Sequence, residues 1–166
     1  MKVTAISGSL QESSGNTALV RAIAAHAPDD VDVRVWDRLV EVPAFTPDVA
    51  DDDIAEVVHD LDAALVDADL ILIATPEYGG GMPGVLKNAC DWMVGLSGFD
   101  GKSVLVVSAA PSEARGANAR RWVEETTRMQ GATIVDTFSV SVRNGVGLDA
   151  AVARVLARIA AESPPA

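Results

Sequence analysis

The 166 residues carry 24 Asp and Glu against 13 Lys and Arg, a net charge of −11, with 49% hydrophobic residues. That length and apolar content suit one globular domain with a substantial core, and the acidity argues against nucleic acid or an anionic membrane as partner. No apolar run approaches the roughly 20 residues of a membrane helix, the N-terminus enters a strand after one lysine with no leader pattern, and the lone Cys90 rules out an internal disulfide, so a cytoplasmic location is expected.

In chain order, Val3 to Ser7 reads as a first strand, and Thr17 to Ala27 as a helix with Ala18, Leu19, Ala22 and Ile23 on one face. Val31 to Trp36 alternates with period two, as a half-buried strand should. Residues 37–53 form a loop with Pro43 and Pro47, and Asp51-Asp52-Asp53 opens a helix running to about Ala68. The acid triplet is expected to cap that helix and complement its dipole rather than hold a metal. Leu70 to Thr75 is apolar without alternation, the pattern of a central parallel strand covered on both faces. Pro83 fits the first turn of a helix reaching about Val94, and Ser97 to Lys102 is a turn. Ser103 to Ser108 is another buried strand, and Ala117 to Gln130 is a helix with arginines outward, ended by Gly131. Thr133 to Val142 reads as an edge strand interrupted at Asp136, Asp149 to Ala161 as the last helix, and Ser163 to Ala166 as a frayed tail.

Five strands alternating with five helices predict a doubly wound α/β sheet over residues 1–166, all parallel, with right-handed crossovers and the flavodoxin-like order 2-1-3-4-5. In that order a ligand lies outside the carboxyl ends of strands one and three. Those two ends carry unusual loops. Ser9 to Thr17 offers the hydroxyls of Ser9, Ser13, Ser14 and Thr17, the amides of Gln11 and Asn16, and a helix N-terminus. It lacks the lysine of a triphosphate loop and the three-glycine dinucleotide fingerprint. It reads either as a monophosphate cradle or as an ordinary capping loop, and its place after strand one favours the cradle. The second loop, Pro76-Glu77-Tyr78-Gly79-Gly80-Gly81, lets backbone approach a flat ligand beside the only tyrosine. Together the loops point to a phosphorylated planar cofactor, read as FMN. The loop from Ser108 to Gly116 is a third wall on the same edge.

Residues 1–80 carry 16 acids and 4 Lys or Arg, whereas residues 81–166 carry 8 acids and 9 Lys or Arg. An anionic ligand would find its cations mainly in the second half, although a solvated acidic surface is the plainer reading. Arg115, Arg120 and Arg121 stand near the ligand edge, where they either attract a nicotinamide nucleotide or form a solvated helix face. His26 and His59 lack metal-ligand spacing, and no metal is expected. Cys90 reads as a packed thiol, Trp36, Trp92 and Trp122 as packing residues, with Trp92 a candidate for a subunit interface.

Gly8-Ser9-Leu10, Ser14-x-Asn16 and Pro76-Glu77-Tyr78 through Pro83-Gly84-Val85-Leu86-Lys87-Asn88-Ala89-x-Asp91-Trp92 resemble the NADPH-dependent FMN reductase family of azoreductases, quinone reductases and chromate-reducing flavoenzymes. The resemblance runs from Met1 to about Val142. It implies one FMN per subunit, NADPH or NADH as co-substrate, a small-molecule acceptor such as a quinone, flavin or azo compound, and a homodimer or homotetramer. It implies ping-pong hydride transfer through the flavin, with no side chain required as acid or base. The implied cofactor-binding residues are Ser9, Gln11, Ser14, Gly15, Asn16 and Thr17 toward the phosphate, Pro76, Glu77, Tyr78, Gly79 and Gly80 along the ring, and Ser108 on the third side. Two positions depart from the family: Gln11 replaces a basic residue, removing a charge-assisted bond, and Gly79 replaces an asparagine. A flavodoxin-type electron carrier and a relative without tight FMN binding stay open as alternatives.

Overall fold

The computed structural model describes residues 1–142 and 146–162. Its strands are β1 (Lys2–Ser7), β2 (Asp32–Trp36), β3 (Leu70–Ala74), β4 (Ser103–Ala109) and β5 (Thr133–Val140). Its helices are α1 (Gly15–His26), α2 (Glu56–Val66), α3 (Gly84–Trp92), α4 (Ala117–Arg128) and α5 (Leu148–Ala160). The strands pair in parallel in the flavodoxin-like order β2-β1-β3-β4-β5.

β3 sits at the centre because both its faces are apolar. Ile71 and Ile73 face the layer of α2, α3 and α4, among Val58, Leu61, Leu65, Leu86 and Val123. Leu70, Leu72 and Ala74 face the layer of α1 and α5, among Leu19, Ile23, Val155 and Ile159. All five β3 residues are fully buried. At about 1.5–3 kcal/mol for each large side chain buried, the strand is the main anchor of both layers. Its register fixes Ser7 beside Ala74 and Ala74 beside Val107, which brings the loops after β1, β3 and β4 to one edge.

The structure corrects several local expectations. Asp51–Asp53 forms a separate 3₁₀ turn, and α2 starts five residues after Asp51, at Glu56, with Ala55 before it and no side-chain cap. The acid triplet therefore does not cap α2. α1 begins at Gly15, two residues before the predicted Thr17, because Ser14 Oγ accepts the Asn16 N–H and closes the first turn. Pro83 is the residue before α3 rather than inside it, and its carbonyl accepts the Leu86 and Lys87 amides. The interruption of β5 is a slip in pairing: Val104 faces Ile134 and Leu105 faces Asp136, leaving Val135 as the extra residue. The tail Ser163 to Ala166 lies outside the described residues.

Candidate functional site

The β1–α1 loop holds itself in shape with few of its polar groups. The Ser7 and Thr17 hydroxyls share a 2.9 Å hydrogen bond, Ser9 Oγ accepts the Gln11 N–H, and Ser14 N–H donates to the Gln11 carbonyl. Thr17 Oγ1 also lies 3.4 Å from the Gln11 carbonyl. Gln11 Nε2 donates to Ser13 Oγ at 2.9 Å, so its amide is turned within the loop. Among the described residues, the N–H groups of Leu10, Glu12, Ser13 and Gly15 meet no acceptor. With the Thr17 N–H, which meets none either, these open amides in the loop and first helical turn form a fitting donor set for an anion.

Asn16 does a different job. Its buried side chain accepts the Ala109 N–H at 2.9 Å and ties the start of α1 to the end of β4. Gly15 lies against the same residue, its missing Cβ 3.4 Å from the Ala109 Cβ. Ser108 is buried too, donating its hydroxyl to the Thr75 carbonyl at 2.8 Å. Both side chains brace the cleft floor between loops.

The β3–α3 loop closes as a tight hairpin. Tyr78 and Gly81 exchange backbone hydrogen bonds of 3.0 and 3.2 Å. Gly79 and Gly80 between them have φ of +58° and +81°, with open space around both. Two successive positive φ values make a type I′ turn, which glycine or asparagine can form without strain. Tyr78 is 51% exposed and shares a 3.1 Å hydrogen bond with Ser9 Oγ, so the two ligand-shaped loops touch. Glu77 turns away, its carboxylate accepting the Asn118 N–H at the start of α4. Pro76 and Glu77 line a cavity of about 190 Å³ with Ser108, Ala110 and Arg115.

Trp122 is the residue that reading the sequence missed. A Cβ on Gly81 would stand 2.8 Å from its ring, so the indole rests directly on the glycine loop while staying 44% exposed. Helical spacing gave no sign of this, because α4 was not known to cross that loop. Trp92 is buried within the subunit, as a packing residue. Its indole N–H and the Asn88 amide both donate to the Pro43 carbonyl, while Asn88 Oδ1 accepts from Phe45 N–H. The Lys87 to Trp92 motif thus clamps the long loop after β2.

Arg120 is also corrected. It is not on an outer face but 6% exposed, bound to the Glu113 carboxylate at 2.9 Å and to Ser139 Oγ. Glu113 in turn accepts the Ser139 N–H, so the β4–α4 loop is pinned to β5. Arg115 remains exposed beside the 190 Å³ cavity. Burial pushes the Cys90 thiol up to about 12, with nearby Asp91 adding to the effect, so it stays neutral and inert. Among the described residues no three His, Cys, Asp or Glu side chains are grouped for a metal.

A donor-rich loop after β1 and a glycine-tipped loop after β3 meet at the switch point, and the sequence matches the NADPH-dependent FMN reductase description over residues 1–147. The chain belongs to that family. It is 41% identical over 92 residues to a 2-hydroxy-1,4-benzoquinone reductase of a Burkholderia species, covering 55% of this chain and 49% of that one. It is 30% identical over 123 residues to a quinone reductase of Escherichia coli K12, covering 72% and 65%. The chain thus spans between half and two thirds of these relatives. The flavoenzyme NAD(P)H:(acceptor) oxidoreductase FerB of Paracoccus denitrificans superposes with a TM-score of 0.81 at 23% identity, over 97% of this chain and 94% of that one.

Proposed function

We propose that this chain is one FMN-binding domain of an NAD(P)H-dependent oxidoreductase that reduces quinones, free flavin or azo compounds. One observation carries the reading: open amides and a capped helix after β1 stand beside an open, glycine-tipped loop after β3, at the switch point of the sheet. The residues fit FMN. The amides of the β1 loop, with the Ser9, Ser14 and Thr17 hydroxyls, would hold its phosphate. The Pro76 to Gly80 backbone would border its ring, and the end of β4 would close the third side. Bound FMN would supply the redox chemistry, taking hydride from NAD(P)H and giving it to an acceptor in a ping-pong cycle. The chain's own part is to anchor the phosphate, keep the Gly79–Gly80 tip clear of side chains, and exclude water through the braced β4 loop.

The relatives named as quinone reductases support a small-molecule acceptor. A homodimer or homotetramer is supported by exposed Met129, Val94 and Trp122 on the α3–α4 side. No described helix is long and apolar enough to cross a membrane. A second reading, an electron carrier, is favoured by one feature: Trp122 supplies a second aromatic beside the loop of Tyr78.

The deciding test is a visible spectrum of the full chain with FMN after removal of unbound flavin, followed by anaerobic NADPH and then NADH. A retained flavin that bleaches establishes the reductase. A retained flavin that neither nucleotide bleaches favours the carrier, and failure to bind FMN in titration refutes both.

A further inference from the structure

The hairpin that would border the flavin ring is gripped at both of its ends by α4. Glu77, just before the turn, accepts the Asn118 N–H with its carboxylate at 3.1 Å. Gly81, which closes the turn, lies under the Trp122 ring, where a Cβ would stand 2.8, 2.8 and 2.9 Å from three ring carbons. Asn118 and Trp122 are four residues apart in α4, so both grips come from one helix face. From the other side the Tyr78 hydroxyl meets Ser9 Oγ of the β1 loop at 3.1 Å.

The hairpin has little to hold it otherwise. Its own bonds are the two between the Tyr78 and Gly81 backbones, and a hairpin that small is marginal in water. Its tip residues, Gly79 and Gly80, are the type with the most backbone freedom to lose, and no atom lies within 4 Å of where their Cβ atoms would be. The direction of the hairpin is therefore set by contacts outside it. Trp122 is placed for that work. Its ring is 44% exposed and stands outside both buried cores, so filling the core does not account for its position.

We propose that α4 is the positioning element of the ring-bordering hairpin, with Trp122 as the stop that sets the Gly81 end and Glu77 as the tie at the other end. Trp122 acts through Gly81 and is a positioning residue. Held in this way, the Pro76 to Gly80 backbone meets a flat ligand already in place, and less ordering entropy is lost on binding. The inference rests on the reductase reading for the identity of that ligand, whereas the grip itself is a property of the free chain.

The first measurement is amide hydrogen exchange of the full chain without FMN. Trp122→Ala should speed exchange at Tyr78 and Gly81 about tenfold relative to the β3 amides, which report global opening. Trp122→Phe keeps an aromatic ring over Gly81 and should restore most of that protection. Glu77→Ala frees the Asn118 N–H and should speed exchange at Tyr78 severalfold. In a fluorescence titration of the same proteins, Trp122→Ala should weaken FMN about tenfold and Trp122→Phe far less. Exchange at Tyr78 and Gly81 that is unchanged by Trp122→Ala, or that rises only in step with β3, overturns the proposal. So does an unchanged FMN affinity in a chain whose hairpin has loosened, and so does equal loss in Trp122→Phe and Trp122→Ala. Failure of the unsubstituted chain to bind FMN refutes the reductase reading instead, and the exchange pattern still decides whether α4 holds the hairpin.

Discussion

In the β1–α1 loop the amides of Leu10, Glu12, Ser13 and Gly15 keep no protein acceptor, whereas in the β4–α4 loop Glu113 is bound by both Arg120 and Ser139. Both loops leave the same sheet edge, and both looked like ligand walls by composition. Their side chains serve different ends. The β4 loop spends the charged side chains of Glu113 and Arg120 on β5, although among the described residues its Ser112, Glu113, Ala114, Gly116 and Ala117 amides also meet no acceptor. The β1 loop is held by a few hydroxyls and leaves donors for a partner. The difference teaches that a charged residue near a site is not thereby a binding residue. Its neighbours decide whether any of its hydrogen-bonding capacity remains.

Removing the brace of the β4 loop should have the largest effect. Arg120→Leu would leave Ser139 Oγ, the Glu113 carbonyl and the Glu113 carboxylate without the guanidinium donor, while the Arg115 carbonyl keeps the Ser139 hydroxyl. A loss of about 2–3 kcal/mol is expected in urea unfolding, below the roughly 3–5 kcal/mol of a fully buried pair because Glu113 stays solvated. If stability hardly changes and nucleotide binding falls instead, the division of labour between the two loops is wrong.

Next comes the contact between the loops and α4. Gly81→Ala drives a methyl into the Trp122 ring, and overpacking of this kind costs about 1–3 kcal/mol. The ring is partly exposed and can yield, so the lower end is expected. Trp122→Ala should relieve the clash, and a double-mutant cycle on unfolding midpoints reads the coupling directly.

The β1 loop should respond to charge. Gln11→Arg should tighten FMN about tenfold in a fluorescence titration, the scale of one charge-assisted phosphate bond, with the unfolding midpoint unchanged. An unchanged FMN affinity would show that the open amides already meet the phosphate without help. Tyr78→Phe removes one hydrogen bond between two exposed loops, so about 0.5–1 kcal/mol is expected in the unfolding midpoint.

The smallest effect lies outside both loops. The Lys2 ammonium donates to Asp67 at 2.6 Å and holds its carboxyl below the usual range, and Arg38 does the same for Glu41. A folded pKa below the unfolded value stabilises the fold above the ordinary 3.8 and 4.5, and that contribution fades as pH falls through the folded pKa. Lys2→Met and Arg38→Met should therefore lower stability slightly at neutral pH and flatten its decline at acid pH, read by denaturant unfolding at several pH values. Both pairs are exposed, so the change should shrink further in high salt.

Much of the architecture was legible in the residues themselves. The unbroken apolar run from Leu70 to Ala74 marked the central strand, because only a strand covered on both faces needs no alternation. Ser14 before Gly15 and the glycines after Tyr78 marked two loops, since capping and positive φ are local demands. The sheet order and the meeting of those loops followed from parallel connection rules. What only the tertiary structure decided were contacts between residues far apart in the chain. Arg120 lay with Arg115 and Arg121 in one basic stretch until Ser139 and Glu113 were brought against it. Trp122 was one indole among three until α4 crossed Gly81. Local propensity acts within a few residues, whereas burial and pairing depend on which distant segments share a face, and that choice is made by packing.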